Sequence, residues 1–365
     1  MRKHLSRSAV GRFESLLKAI GPSGYEAPAA RIWREMAREF ADEVAADAAG
    51  NSLAFVNAAS ADAPTVLLSA HIDEIGLAVT HITDEGFIYV KEIGGWDPAV
   101  LVGQRITILG TRGAVPGVLT RRATHLMTHE EQEEAIYTKD LWVDIGAKSK
   151  GEVARLGVRI GDPIVIDAPP LHLPNRRLAS RAIDNRTGAF VILEALRSYA
   201  ASPGHARVVA AANTQEEFMG GSGGGALIAA KRVRPELAIV VDMTHANDHP
   251  DLDDQHLGDC ALGAGPSIAR GGVTSPRALE LFEKAAKRLG IKYQLEAIGG
   301  QSGTDADAVA LGGFDRAVAT ALVSIPARYM HTPNEIVSSD DIATTIELIA
   351  EVCRVVKPGM NWVPE

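Results

Sequence analysis

The stretch TVLLSAHIDEIGLAVTHI, residues 65 to 82, decides the reading of this chain, because its texture changes halfway. TVLLSA (65–70) is a short apolar run bounded by Pro64 and His71, of the kind that fills a central sheet buried on both faces. GLAVTHI (76–82) opens a different pattern: short strand-like runs (GFIYVKEI, QRITILG, GVLT, LWVDIGA, DPIVIDA) separated by Gly, Asp and Pro turns to about Pro170. That middle part reads as a small β-barrel or sandwich. Either side of it the chain is α/β. Before it, Phe13, Leu16, Leu17 and Ile20, then Ile32, Trp33 and Met36, recur at helical spacing around the turn-forming GPSGYEAP, which predicts two opening helices. After Leu178 come a helix from Asn185 to Tyr199, the strand RVVAAANT, a Gly-rich loop and a helix, the strand LAIVVDM, and a helix from Pro276 to Leu289. The expected organisation is an α/β domain made of residues 1–72 and 173–365, with a β-barrel-like domain, residues 73–172, inserted into it.

The bulk numbers fit a folded enzyme better than a nucleic-acid or membrane protein. With 365 residues, 46% hydrophobic and 23% charged, the chain is long enough for two cores. A formal net charge of −9 argues against a phosphate-backbone partner, which needs a basic surface. No window approaches the ~18 uninterrupted apolar residues of a membrane span. The basic start MRKHLSRSAV leads into no signal-peptide apolar stretch, so a cytoplasmic protein is expected. Cys260 and Cys353 are too few for a disulfide framework and read as buried reduced thiols.

Chemistry-bearing residues collect where open α/β sheets place ligands, at strand ends and in adjoining loops. They are His71 with Asp73, Asp184, the pair Glu216 and Glu217, Asp242, and His331. A mixed histidine and carboxylate set suits zinc, cobalt or manganese, and a carboxylate's two oxygens can bridge two such ions. Of the adjacent glutamates, one can bind metal while its neighbour stays unligated and takes a proton from water. In His71-Ile72-Asp73, alternation along an extended segment lets Asp73 hold the imidazole. Other stretches are discounted. HANDHPDLDDQH (245–256) reads as an exposed loop, HEEQEE (129–134) as a solvated helical turn, and FMGGSGGGA (218–226) as close packing of the next helix, not a phosphate cradle.

Eight segments then carry a resemblance across nearly the whole chain: SAHIDEIGLAV (69–79), IGGWDPAVLVGQRITILG (93–110), LWVDIGAKS (141–149), RAIDNRTGA (181–189), NTQEEF (213–218), VVDMTHA (240–246), GGQSGTDA (299–306) and PARYMHTPNE (326–335). The chain resembles the M42 metallo-aminopeptidases. The resemblance implies that His71 and Asp242 hold one metal, Glu217 and His331 the other, and that Asp184 bridges them. It makes Glu216 the general base and Asp73 the residue that orients His71. It also implies peptide substrates, two divalent ions per subunit (zinc or cobalt, with manganese admissible), a dimerising inserted domain and a homo-oligomer built from dimers into a dodecamer. Two stretches differ from the family's usual pattern: FMGGSGGGA replaces a compact V-G-L-R-G-A-like turn, and RRATH (121–125) stands where S-K-P-P-H is common. The rival readings are a metal-independent glycosidase using paired carboxylates and a scaffold that keeps metal for stability.

Overall fold

The computed structural model describes residues 4–219, 223–250, 252, 258–311 and 316–364. Helices Arg7–Lys18 (α1) and Ala27–Ala37 (α2) lead into strands Glu43–Ala46 (β1), Ser52–Val56 (β2) and Thr65–His71 (β3). Six strands follow, Gly76–Ile82 (β4), Ile88–Ile93 (β5), Gln104–Gly110 (β6), Gly113–Thr120 (β7), Trp142–Asp144 (β8) and Pro163–Ile166 (β9), with short helices His129–Glu133 (α3) and Lys150–Leu156 (α4) among them. The chain returns through Leu171–Leu173 (β10), Arg177–Ser180 (β11), the helix Ile183–Ala201 (α5), Arg207–Asn213 (β12), and helices Glu216–Met219 (α6) and Gly224–Val233 (α7). Strands Leu237–His245 (β13), Ser267–Gly271 (β14), Gln294–Ile298 (β15), Ala319–Arg328 (β16) and Glu335–Ser338 (β17) complete it, with helices Pro276–Leu289, Asp305–Leu311 and Ser339–Val355.

Among the described residues, β4 to β9 close into a barrel in the order β4-β5-β8-β7-β6-β9. The inserted β texture is thus a barrel and not a sandwich. Closure removes free strand edges, and alternate residues such as Leu77, Val79, Ile106, Ile108 and Ile164 fill its own core. The remaining strands form one sheet, β1-β2-β12-β3-β13-β16-β17-β11-β10, with β14 on β16 and β15 on β14. Its centre is parallel, β12 and β13 flanking β3. Alternation sorts these strands between two apolar layers: Val66, Leu68, Val208, Ala210, Ile239 and Val241 face one, and Leu67, Val209, Ala211, Ala238 and Val240 the other. Burial on both faces explains why these strands read as unbroken apolar runs.

The opening helix begins at Ser6, whose hydroxyl accepts from the Ala9 amide, and buries Phe13, Leu16 and Leu17 against α5, where Phe13 stacks on Phe190 at 5.0 Å. The wholly buried Arg186 guanidinium ties that helix to the end of β3, donating to the carbonyls of Leu16, Ala19 and Ile72 and to Glu74. Two sequence expectations need correction. Glu216 and Glu217 lie on the first turn of α6 and not at a strand end or in a loop, so their side chains diverge by ~100°. In the segment from His245, Ala246 and Asn247 are buried, although His245 and Asp248 are exposed. Residues 251 and 253–256 of that segment, and 220–222 of the Gly-rich loop, lie outside the described residues. His129–Glu133 is an exposed helical turn closed by a Thr128 capping box. Close packing is visible at Gly225: a Cβ there would sit 2.0 Å from Asn51 Oδ1 and 2.6 Å from the Thr214 amide.

Candidate metal centre

His71 ends β3, Asn213 pairs beside it at the end of β12, and Asp242 sits near the end of β13, so neighbouring parallel strands deliver these side chains to one edge. The His71 Nδ1 lies 3.2 Å from the Asp73 carbonyl oxygen and 3.5 Å from its Oδ1. Those acceptors favour a proton on Nδ1 and turn Nε2 toward Asp184 Oδ1 at 3.2 Å and Asp242 Oδ1 at 3.7 Å. On the other side His331 Nε2 lies 3.6 Å from Asp184 Oδ2 and 3.4 Å from Glu217 Oε2. Donor atoms of His71, Asp184 and Asp242 fall within 4.8 Å of one another, and so do those of Asp184, Glu217 and His331. Asp184 belongs to both sets. Glu216 belongs to neither, and its Oε2 stands 4.0 Å from His71 Nε2.

Four residues at or beside these candidate ligands hold left-handed backbone that is rare outside glycine: Ala182 (φ 58°), Gln215 (φ 66°), Tyr329 (φ 60°) and His331 (φ 60°). Such conformations cost on the order of 1 kcal/mol or more and persist where neighbours over-determine them. The neighbours are identifiable. Glu26 Oε1 accepts the Gln215 amide at 3.1 Å, and Asp73 Oδ2 accepts the Glu217 amide at 3.0 Å. Asn185 donates to the Val241 carbonyl at 2.8 Å, pinning the Asp184 turn to β13. The Asp184–Asn185 peptide is cis.

Glu335 is the residue that sequence reasoning missed. Its Oε2 accepts the Asp184 amide at 3.0 Å and its Oε1 the His331 amide at 2.9 Å, so one buried carboxylate fixes both. The available signal was an acid inside a short strand that is otherwise buried or apolar. Asp305 was also passed over. It accepts from Asn213 Nδ2 at 2.8 Å, behind the cluster, and burial pushes its carboxyl up to about 7.

The electrostatics describe a site that wants cations. Burial raises the Glu216 carboxyl, helped by Asp242, Asp305 and Glu217, and burial likewise raises Glu217 and Asp242. Burial would also raise Asp184, but His331 and His71 outweigh it and hold this carboxyl low. His331 is pushed up to about 11 by Asp184 and Glu217. For His71, burial alone would lower the imidazole, but Asp184, Asp242 and Asp73 overcome it. Two buried carboxylate oxygens in the cluster, Asp184 Oδ1 and Glu217 Oε1, make no hydrogen bond, an arrangement that is costly unless a cation satisfies them. The donor set is mixed imidazole and carboxylate, which borderline divalent ions accept. The residues present therefore fit two divalent ions.

A cleft of about 360 Å³ opens beside the cluster, lined among others by Met243, Thr244, His245, Glu296, Ser302 and Met330. Among the described residues, no helix is long and apolar enough to cross a membrane.

Comparison with known proteins agrees over nearly the whole length. A protein-family model described as M42 glutamyl aminopeptidase matches residues 50–348. The chain is 31% identical to the lysyl aminopeptidase of Pyrococcus furiosus over 356 residues, 96% of this chain and 98% of that protein. Among solved structures it superposes on the TET aminopeptidase of a marine sediment archaeon, Thaumarchaeota archaeon SCGC AB-539-E09, with a TM-score of 0.89 and 30% identity, covering 96% of this chain and 97% of the other. It also superposes on the Pyrococcus horikoshii TET1 peptidase, described as able to assemble into a tetrahedron or a large octahedral shell, with a TM-score of 0.82 and 28% identity over 94% and 99% of the two chains.

Proposed function

This chain belongs to the M42 peptidase family and is an aminopeptidase, a hydrolase of the exopeptidase class, and on that premise we propose that it trims short peptides at a dinuclear metal centre with Glu216 as general base. The observation that carries the reading is the double use of Asp184, one oxygen against His71 and the other against His331, each within a complete ligand triad. His71 and Asp242 would hold one ion, Glu217 and His331 the other, and Asp184 both. Two divalent ions, when bound, supply Lewis acidity toward a peptide carbonyl and lower the pKa of a water toward about 7. Zinc and cobalt suit these donors, and manganese is admissible.

The chain's own residues do the rest. Asp73 holds the His71 ring nitrogen through its main-chain carbonyl and the Glu217 main chain through its carboxylate, so one buried residue positions a side chain in each triad. Glu216, outside both triads yet within the cleft, is free to accept the proton of the attacking water and to return it to the leaving amine. A substrate's free α-amino group seats at this anionic cluster, which limits cleavage to N-termini.

The barrel serves, in this reading, as a dimerisation module, and dimers assemble into a dodecamer in the cytoplasm. Exposed Phe87, Tyr89, Val118, Leu126 and Tyr137 on that part of the chain support a protein contact there, and light scattering of the purified protein measures the assembly. The test of the activity is amino-acid release from short peptides with free or blocked N-termini, before and after chelation and metal restoration. Trimming restricted to unblocked peptides and to metal-loaded protein is the expected result. Equal cleavage of blocked peptides, or activity that survives complete chelation, overturns it.

A further inference from the structure

The cleft continues beyond the ligand cluster to a wall formed by the outer strand β15. Alternate residues of that strand, Glu296 and Ile298, line the cleft, whereas Leu295 and Ala297 on the other face are exposed. The register shows how far this wall stands from the chemistry. Asp242 pairs with Ser324, Ser324 with Ser267, and Ser267 with Gln294, so three strand spacings and a two-residue offset separate Asp242 from Glu296. At ~4.8 Å per spacing and ~3.3 Å per residue, the two backbones lie about 16 Å apart. A short residue held at the cluster does not span that distance.

The lining between the two points is apolar and hydroxylic: Leu322, Ile298 and Met330, with Ser302, Thr304 and Ser324. Among the described residues, no lysine or arginine lines the cleft, and apart from the candidate ligands and Glu216 its charged or titratable lining is Glu296 and His245. Glu296 Oε2 accepts from the Ser267 hydroxyl at 3.4 Å, which leaves capacity for a stronger donor. A lining of apolar and hydroxyl side chains that ends in a carboxylate suits a long methylene stem ending in a cation. The same carboxylate repels an acidic side chain.

Resting on the aminopeptidase reading above, we infer that this cleft selects peptides whose N-terminal residue has a long basic side chain, lysine or arginine, with Glu296 as the residue that binds its charge. The test uses metal-loaded protein and p-nitroanilides of lysine, arginine, leucine and glutamate, assayed with wild type, Glu296→Gln and Glu296→Lys, with metal content and Tm measured on each. The wild type prefers lysine and arginine. Glu296→Gln lowers the lysine-to-leucine ratio of kcat/KM by about 10–100-fold, the worth of one charge-assisted hydrogen bond, mostly through KM, and Glu296→Lys shifts preference toward glutamate. Wild-type turnover of leucine or glutamate substrate equal to that of lysine overturns the inference while the aminopeptidase reading stands, as does an unchanged ratio in folded, metal-loaded Glu296→Gln. Failure to cleave any of the four substrates, together with failure to trim any unblocked peptide, overturns the aminopeptidase reading and this inference with it.

Discussion

Replacing Glu335 with glutamine separates ligand positioning from folding. In the native arrangement each carboxylate oxygen accepts one main-chain N–H, from Asp184 at 3.0 Å and from His331 at 2.9 Å. Glutamine keeps one acceptor and turns an NH₂ donor toward the other amide, so one hydrogen bond is lost and two donors face each other. A bond to a charged group is worth about 1.5–3 kcal/mol, and relief requires Asp184 or His331 to move. At 1.4 kcal/mol per tenfold, that displacement lowers metal affinity by roughly 10–150-fold, in line with the loss typical when a residue behind a ligand is changed. The metal-free protein behaves differently. Burial, and then the Asp184 charge, oppose the charged form of Glu335 there, so removing that charge offsets part of the lost hydrogen bond. We therefore expect Glu335→Gln to leave the Tm of chelated protein within a few degrees of wild type while shrinking the metal-induced rise in Tm. Metal retained after dialysis against graded chelator, measured by mass spectrometry, gives the affinity. Wild-type retention together with a wild-type rise in Tm refutes the argument.

Glu216→Gln should retain metal and lose ~10²–10⁴-fold in kcat if proton transfer limits the rate, and unchanged turnover removes Glu216 from the base role. Because Asp184 belongs to both triads, Asp184→Asn should lower metal occupancy at both positions, whereas His331→Ala should empty one; equal stoichiometries in the two variants contradict the bridging arrangement. Far from the centre, burial raises the Asp341 carboxyl from 3.8 to about 6 even though it accepts the Gly263 and Gly265 amides. A raised acid favours the fold while protonated. Its contribution is complete below about pH 4 and lost as pH rises through 6, by about 3 kcal/mol at most, and denaturant titrations of Asp341→Asn should show a correspondingly flatter pH dependence over that window.

The parts of this fold legible in the sequence are those governed by local pattern. TVLLSA, RVVAAAN and LAIVV are unbroken apolar runs because β3, β12 and β13 are covered on both faces, and the barrel strands alternate because only one face meets their core. Strand-end acids and histidines were visible for the same reason, since the end of a readable strand is itself readable. What the pattern does not carry is contact between distant segments. Glu335 meets the Asp184 amide across 151 positions of sequence and the His331 amide across 4, and both bonds go to main chain, which leaves no mark on the partner's identity. The placement of Glu216 and Glu217 on a helical turn was hidden similarly. It depends on a left-handed Gln215 held by Glu26, 189 positions away.

The inserted barrel is bound up with the centre at the point of insertion. The chain leaves the α/β sheet at His71 and enters the barrel at Gly76; between them Asp73 contacts His71 and Glu217, and Glu74 forms buried ion pairs with Arg181 and Arg186. The barrel then comes back to the site. A Cβ on Gly95, just past β5, would lie 3.4 Å from His331 Nδ1, and one on Gly94 would press on Ile75 at 2.5 Å and reach the Glu217 carbonyl at 3.5 Å. Gly94 also holds φ 75°, so both its conformation and its clearance require glycine. His331 keeps 38% of its side chain exposed, the most open of the ligand set, and the turn at Gly94–Gly95 borders that opening. The turn after β5 therefore adjoins His331, while the cleft lining comes from the α/β sheet and its loops.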